Sequence, residues 1–291
     1  MNPFEGDLKR IRACRDGHTC PYQPADFCRF GNAPAVLPLT QVQGGVVVIA
    51  GCAGHGKSVY GHRLLHEYRQ KGLAPVDLHG SAPYRACIAR RAQVLRKLSS
   101  RNGLLDADDV ADEKADDTHW PARLQTVLGQ TGEEMVVRLP RIEPEASDAG
   151  TRNIAWEIAC YANAAEESKS VIIYEYNATD WPRDWESLRS AIDQNYDANV
   201  RACVLDPVAP ADLWAYAQGV MDRSPHQRFT MEEGVPEWLR RLFGTFSVSP
   251  TKAHDLMRRV FANAIAAQST KVTLEHLMPE VLEPAAWSGA A

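Results

Sequence analysis

The sequence lacks any long hydrophobic run. Its longest apolar stretches are residues 46–50 and 171–174, far short of the ~20 residues that a membrane-spanning helix needs. No apolar segment follows the charged N-terminal residues MNPFEGDLKR, so no secretory signal is predicted. We therefore expect a cytoplasmic protein with no membrane partner.

The seven cysteines among 291 residues are an odd number. In a reducing compartment we expect free thiols or part of a metal site rather than a disulfide framework. The composition of 45% apolar and 24% charged residues disfavours wholesale disorder and collagen-like structure. A net charge of −5 gives no overall attraction to nucleic acid.

Strand and helix patterns alternate through the first two thirds of the chain. The strand candidates are short apolar runs, and amphipathic helix patterns separate them. Alternation of this kind predicts an α/β fold with a parallel, doubly wound, five-stranded sheet that binds ligands at the carboxyl ends of its strands. The predicted strands cover residues 44–50, 75–78, 135–139, 171–176 and 202–205.

No strand pattern is found after Pro210. Four amphipathic segments, at 213–220, 238–246, 256–267 and 274–282, predict a small helical domain. We therefore expect an irregular Cys- and Pro-rich N-terminal arm at 1–43, an α/β core at 44–209 and a helical domain at 210–291.

One motif carries recognisable chemistry. Residues 51–58, GCAGHGKS, match the phosphate-binding pattern G-x-x-x-x-G-K-[ST], with a strand before it and a helix after it. The glycines let the backbone curl so that its N–H groups point at a phosphate, the lysine neutralises the β- and γ-phosphates, and the serine hydroxyl can ligate Mg²⁺. We therefore predict ATP and Mg²⁺ as cofactors, with Ser58 as the Mg²⁺ ligand. The predicted nucleotide-binding residues are Gly51, Cys52, Ala53, Gly54, His55, Gly56, Lys57, Ser58 and Val59.

Five strands, with this phosphate loop after the first and a helical tail after the last, resemble the P-loop core and C-terminal lid of an AAA+ ATPase. The resemblance implies a Mg-ATP-dependent ATPase or nucleotide switch that forms homo-oligomers or acts on a partner protein. In this family the third strand ends in an acidic Walker B pair. Here the third strand reads MVVRLPR and ends without an acid.

The fourth strand, VIIYEYN, supplies the candidate catalytic residues Glu175 and Asn177. Asn177 is similar to the family's polar sensor-1 residue, which contacts the attacking water and the γ-phosphate. If the fourth strand is instead the one beside the phosphate loop, Glu175 becomes the acid that activates water. The sequence leaves these two assignments open as alternatives.

The resemblance also implies two cationic roles. A lid residue would contact the γ-phosphate, and an arginine finger would reach the nucleotide of a neighbouring subunit. Ordinary solvated basic residues are the alternative in both regions. The lid candidates are Lys252, Arg258 and Arg259, and the finger candidates are Arg201, which we prefer, Arg183 and Arg189.

Two other enzyme classes remain open at this point. In a small-molecule P-loop kinase, Asp77 at the end of the second strand would bind the acceptor and Arg85 would clamp a phosphate, although the long helical tail argues against this class. In a GTPase, residues 177–180, NATD, would resemble the N-K-x-D motif, but the lysine is missing.

Charge is concentrated in two neighbouring segments. Residues 85–101 carry six basic residues and no acid, whereas residues 106–117 carry seven acids. We interpret the first as a solvated basic helix face and the second as an exposed acidic loop. The alternative is that the basic helix contacts the phosphates of a nucleic acid.

The N-terminal arm contains one cluster of metal-ligating residue types. Three thiolates and an imidazole would satisfy a tetrahedral structural Zn²⁺. The spacing lacks the paired C-x₂₋₄-C element of standard zinc motifs, so free thiols are the alternative. The candidate zinc ligands are Cys14, His18, Cys20 and Cys28.

Overall fold

The structure is a computed structural model. It describes Asn2 and residues 40–78, 87–101, 119–130, 132–142, 148–206, 209–222, 229–245 and 250–282. Most of the predicted N-terminal arm, including all four candidate zinc ligands, and the acidic segment 106–117 lie outside these residues.

Five parallel strands form the central sheet. Their bounds are β1 Gly45–Gly51, β2 Ala74–Asp77, β3 Met135–Arg138, β4 Val171–Asn177 and β5 Val200–Val204. Their order across the sheet is β2-β3-β4-β1-β5, and every pairing is parallel. The predicted parallel five-stranded sheet is therefore confirmed, and β4 lies directly beside β1.

The central strands are mostly apolar because both faces of the sheet are covered. All seven residues of β1 are buried, and so are six of the seven residues of β4. Alternate side chains point to opposite faces. One face packs against the helix that follows the phosphate loop, and the other packs against the remaining core helices.

Helices fill the connections between the strands. In the core they are α1 Lys57–Gln70, α2 Cys87–Arg101, α3 Trp120–Gly129, α4 Asp148–Ser168 and α5 Arg183–Asn195. Helix α1 follows the left-handed residue Gly56 and ends just before Gly72, whose φ of 97° needs a glycine. The helix that the sequence predicts after the phosphate motif is confirmed, and it begins within the motif at Lys57.

The C-terminal part contains helices α6 Pro210–Asp222, α7 Val235–Thr245, α8 Pro250–Ala266 and α9 Leu274–Leu282. Their buried side chains form an apolar cluster that involves no residue of the sheet. The four predicted helices are therefore confirmed. The predicted boundaries after residues 43 and 209 stay predictions.

The expectation of no strand beyond Pro210 is wrong. Thr230–Met231 and Lys271–Val272 form two short parallel strands, β6 and β7, between the C-terminal helices. A strand of two residues is too short to show alternation of apolar and polar residues, so the sequence does not predict β6 or β7.

Candidate functional site

The phosphate loop joins β1 to α1, as the motif predicts. Gly54 and Gly56 have φ values of 83° and 84°, in a region that other residues rarely adopt. Gly51 lies close to the segment that follows β5, because a Cβ atom at Gly51 would lie 2.9 Å from the Leu205 carbonyl oxygen. The loop therefore has the curled backbone that phosphate binding requires.

Lys57 is the buried cation of this loop, with a 7% exposed side chain. Its Nζ donates hydrogen bonds to the carbonyl oxygens of Gly51, at 2.8 Å, and Cys52, at 2.5 Å. A third bond reaches Oδ1 of Asn177 at 2.9 Å. An ammonium has three protons, and these three contacts use all of them.

Burial changes the charge equilibrium of Lys57. Removal from water lowers its pKa from 10.5 to about 8, while the nearby carboxylate of Glu175 acts in the opposite direction. A phosphate that enters the loop would bring negative charge to this ammonium and favour its protonated form.

Strand β4 brings both candidate catalytic residues to the phosphate loop. Asn177 pairs with Gly51 and Glu175 pairs with Ile49 in the parallel register between β1 and β4. Since they are two residues apart, both point to the face that carries α1. The Ser58 hydroxyl donates a hydrogen bond to Oε2 of Glu175 at 3.0 Å. The structure thus has β4 beside the phosphate loop, with Glu175 at Ser58 and Asn177 at Lys57.

A buried arginine completes this arrangement. Arg138 of β3 is fully buried, and its Nε and Nη2 donate to Oε1 of Glu175 at 2.8 and 2.5 Å. Its Nη1 lies 2.6 Å from Nε2 of His62 and 3.4 Å from Oδ2 of Asp77. Sequence reasoning identified neither Arg138 nor His62 as site residues. The available signal was the arginine itself, a charge at the end of the apolar run MVV.

His55 connects the loop to the segment after β5. Its Nδ1 lies 2.8 Å from the Leu205 carbonyl oxygen and 3.3 Å from the backbone nitrogen of Cys52. Burial lowers the pKa of His55 and raises the pKa of the neighbouring Cys52 thiol. At neutral pH both side chains are therefore uncharged, so Lys57 is the loop's own source of positive charge.

Solved structures resemble this chain over most of its length. The ADP form of the Aeropyrum pernix ORC2 protein matches with a TM-score of 0.58 at 12% identity, covering 94% of this chain and 73% of that chain. Its ADPNP-ADP complexes match with a TM-score of 0.50 at 14% identity, covering 82% and 62%. The Cdc6p protein of Pyrobaculum aerophilum matches with a TM-score of 0.50 at 12% identity, covering 78% and 57%. This chain has the fold of an AAA+ ATPase.

The AAA+ fold is established here by structure. No protein-family model matches the chain, and no curated protein sequence matches it. The chain spans 57% of the Cdc6p chain and 62% of the ORC2 chain in the ADPNP-ADP complexes.

The donor set beside the phosphate loop fits Mg²⁺. The Ser58 hydroxyl and the Glu175 carboxylate lie side by side, 3.0 Å apart, and oxygen atoms of these types are the ligands that Mg²⁺ prefers. Both oxygens of Glu175 already accept hydrogen bonds, from Ser58 and from Arg138. The site therefore contains the predicted ligand Ser58 next to a carboxylate whose charge is already paired.

Helix α2 covers residues 87–101 of the basic segment and differs from the predicted solvated face, while the kinase candidate Arg85 lies outside the described residues. Arg90 and Arg91 of α2 are buried, at 0% and 4% exposure. Arg90 donates to Glu157 at 2.6 Å and also contacts the Tyr174 hydroxyl, while the guanidinium of Arg91 lies 4.5 Å from the Trp156 ring centre. The apolar residues of α2 recur on the same face and carry both arginines into the core. Neither arginine is available to a nucleic acid.

The remaining cationic candidates lie at the surface or pair within their own helix. Arg258 and Arg259 both pair with Asp255, at 2.8 and 3.4 Å. The exposed Arg183, at the start of α5, pairs with Asp180 before the helix at 3.8 Å, and the exposed Arg189 pairs with Asp193 within α5 at 3.5 Å. Arg201 is exposed on β5, at the edge of the sheet. Their roles stay predictions.

In the part of the chain that the structure describes, no three histidine, cysteine or acidic side chains form a group that could hold a metal ion. The predicted zinc ligands Cys14, His18, Cys20 and Cys28 lie outside that part. Among the described helices, none is long and apolar enough to cross a membrane.

Proposed function

We propose that this chain binds Mg-ATP at the loop between β1 and α1 and acts as an AAA+-type ATPase or nucleotide switch. The observation that carries the proposal is the contact set of the phosphate loop. Lys57 meets Asn177, and Ser58 meets Glu175, at the carboxyl ends of two adjacent parallel strands. Ligands of open α/β sheets bind at this edge. Two of the similar structures hold ADP, which supports an adenine nucleotide.

Each residue has a chemical task in this proposal. Lys57 exchanges its three contacts within the chain for phosphate oxygens, and the backbone N–H groups of residues 54–59 donate to the phosphates. Ser58 would hold Mg²⁺, which when bound neutralises phosphate charge and polarises the γ-phosphate. Asn177 orients the γ-phosphate end of the site, and Glu175 accepts the proton of the attacking water.

Binding is tested first. Lys57→Ala removes a charged donor whose contacts are worth ~1.5 to 3 kcal/mol, so the affinity for ATP should fall about tenfold to a hundredfold. Isothermal titration calorimetry measures this directly, and Lys271→Ala, at an exposed lysine of β7, serves as the matched control. Equal ATP affinity in the Lys57→Ala variant and the unmutated chain would contradict the proposal.

Turnover is tested separately on β4. Glu175→Gln keeps the shape of the side chain and removes its charge, so ATP should still bind while hydrolysis falls by about 10² to 10⁴. Asn177→Ala removes the contact with Lys57 and tests the sensor role. Loss in Glu175→Gln alone assigns the acid, and loss in Asn177→Ala alone assigns the sensor. If the unmutated chain does not hydrolyse ATP even with DNA or a partner present, the chain is a nucleotide switch.

The same proposal includes homo-oligomers or a partner protein as the target of the nucleotide cycle. Arg201 is exposed at the edge strand β5, where it is open to a neighbouring subunit. Size-exclusion chromatography with light scattering, with and without Mg-ATP and DNA, tests it. A mass increase with Mg-ATP that is lost in Arg201→Ala supports assembly, and a monomer under every condition contradicts it.

The small-molecule kinase is the weaker alternative. Asp77, its predicted acceptor-binding residue, has a side chain only 14% exposed that lies 3.4 Å from Arg138 and 3.6 Å from His62. A carboxylate held by buried partners is poorly placed to bind an acceptor. Turnover that requires an added metabolite would favour the kinase.

A further inference from the structure

A buried cation lies behind the carboxylate of the proposed Mg²⁺ site. Two N–H groups of Arg138 converge on Oε1 of Glu175, and the Ser58 hydroxyl donates to Oε2. The side chains of Arg138 and Glu175 are 0% and 1% exposed. Water therefore screens this pair little, and its two charges compensate each other within the protein.

Arg138 is anchored independently of Glu175. Its Nη1 donates to Nε2 of His62 at 2.6 Å and lies 3.4 Å from Oδ2 of Asp77. A guanidinium cannot lose its proton in a protein, so the charge beside Glu175 is permanent. These anchors, on α1 and β2, keep the cation in place when the carboxylate changes partners.

Helix α1 leaves space for this ion pair at Gly61. A Cβ atom at this position would lie 2.8 Å from Oε1 of Glu175 and 2.9 Å from Nε of Arg138. Even the smallest side chain would therefore have to displace the carboxylate or the guanidinium. Gly61 gives a way to disturb the contact without changing any charge.

We propose that Arg138 is a positioning residue that holds Glu175 in a buried ion pair and thereby weakens the affinity of the Ser58 site for the divalent cation that accompanies the nucleotide. This inference rests on the proposed function. A Mg²⁺ ion at Ser58 is attracted by the charge of Glu175 and repelled by that of Arg138. With both charges present the net attraction is small, so Mg²⁺ should contribute less to nucleotide binding than an unpaired carboxylate would allow.

The test measures the Mg²⁺ concentration that half-saturates binding of a fluorescent ATP analogue. Arg138→Gln leaves Glu175 unpaired, and we expect the half-saturating concentration to fall about tenfold or more. Arg138→Lys keeps the charge, so its half-saturating Mg²⁺ concentration should stay close to that of the unmutated chain. The matched control is Arg96→Gln, the same chemical change on the exposed side of α2, and it should have no effect.

A double variant separates this electrostatic role from a structural one. In Arg138→Gln with Glu175→Gln, the unpaired charge is absent, so the tenfold gain should disappear. If the gain persists there, or if Arg138→Gln binds nucleotide with an unchanged Mg²⁺ requirement, the proposal is overturned.

Gly61→Ala covers the case in which Arg138→Gln fails to fold. It retains both charges and should lower the half-saturating Mg²⁺ concentration by pushing the pair apart. An unchanged value in a folded Gly61→Ala protein would then overturn the proposal. If the unmutated chain binds no nucleotide, the proposed function itself is refuted. If it binds nucleotide in a Mg²⁺-dependent way and the variants have the same half-saturating Mg²⁺ concentration, only the role of Arg138 is refuted.

Discussion

Raising the pH should weaken nucleotide binding through Lys57. Burial lowers the pKa of this lysine to about 8 in the nucleotide-free chain. A bound triphosphate surrounds the same ammonium with negative charge and raises its pKa again. The free protein therefore loses the proton as the pH rises through about 8, whereas the complex keeps it. Above this pH, binding must take up one proton.

The size of the effect follows from this linkage. If the complex keeps its proton up to pH 10, the affinity falls with the protonated fraction of free Lys57, about tenfold by pH 9 and about a hundredfold by pH 10. Fluorescence titrations with an ATP analogue from pH 7 to pH 10 measure the slope. Calorimetry at pH 9 in two buffers of different ionisation enthalpy counts the protons, and we expect a value close to one.

Two variants serve as controls. Lys57→Arg keeps its charge throughout this range, so its affinity should not depend on pH whatever its absolute value. Cys52→Ser removes the neighbouring thiol, which also ionises at high pH, and should keep the full slope. Constant affinity of the unmutated chain from pH 7 to pH 10, or an equal loss in Lys57→Arg, would refute the reasoning.

Three further predictions concern stability and metal content. Arg90→Met and Glu157→Gln each break a fully buried ion pair, so each should lower the free energy of unfolding, measured with urea, by ~3 to 5 kcal/mol. The double variant should lose less than the sum of the two single losses, and additive losses would contradict this. Phe261→Ala leaves a cavity beside Phe229 in the core of the C-terminal helices and should lower the stability there by ~3 to 5 kcal/mol. Hydrogen exchange in α8 measures this stability, and a loss under ~1 kcal/mol would contradict the prediction. Protein purified without added metal should contain about one zinc per chain by elemental analysis if the cluster of Cys14, His18, Cys20 and Cys28 binds it, and metal-free folded protein would support free thiols at the three cysteines.

The five strands of the central sheet, the helices and the phosphate loop were predictable because each leaves a local pattern. The run GVVVIAG followed by GHGKS identifies β1, the loop and the start of α1 within one short window. Glu175 and Asn177 could be named as candidates because they end an apolar strand. Their arrangement could not be predicted, since the order of strands across a sheet depends on contacts between distant segments.

The arginines show where local reading fails. Arg90 and Arg91 belong to a segment without acids, so they look like part of a solvated face. Their partners, Glu157 and the rings of Trp120 and Trp156, come from helices further along the chain. In the sequence, Arg138 is only a polar residue at the end of an apolar strand, and its pairing with Glu175 is visible only in the structure. The burial of a charged residue can be predicted only when its partner is known, and here the partners are distant in the sequence.

Strand β4 carries a polar contact on each of its two faces, and this limits how it can pair. Glu175 faces α1 and meets Arg138, while the adjacent Tyr174 faces the opposite side and meets Arg90. A slip of one residue would exchange these faces, burying a carboxylate among apolar side chains and presenting a tyrosine to the phosphate loop. The apolar residues before them, Val171, Ile172 and Ile173, would tolerate that slip because they are similar on both faces. Two adjacent polar residues thus fix the alignment of the strand that carries Glu175 and Asn177.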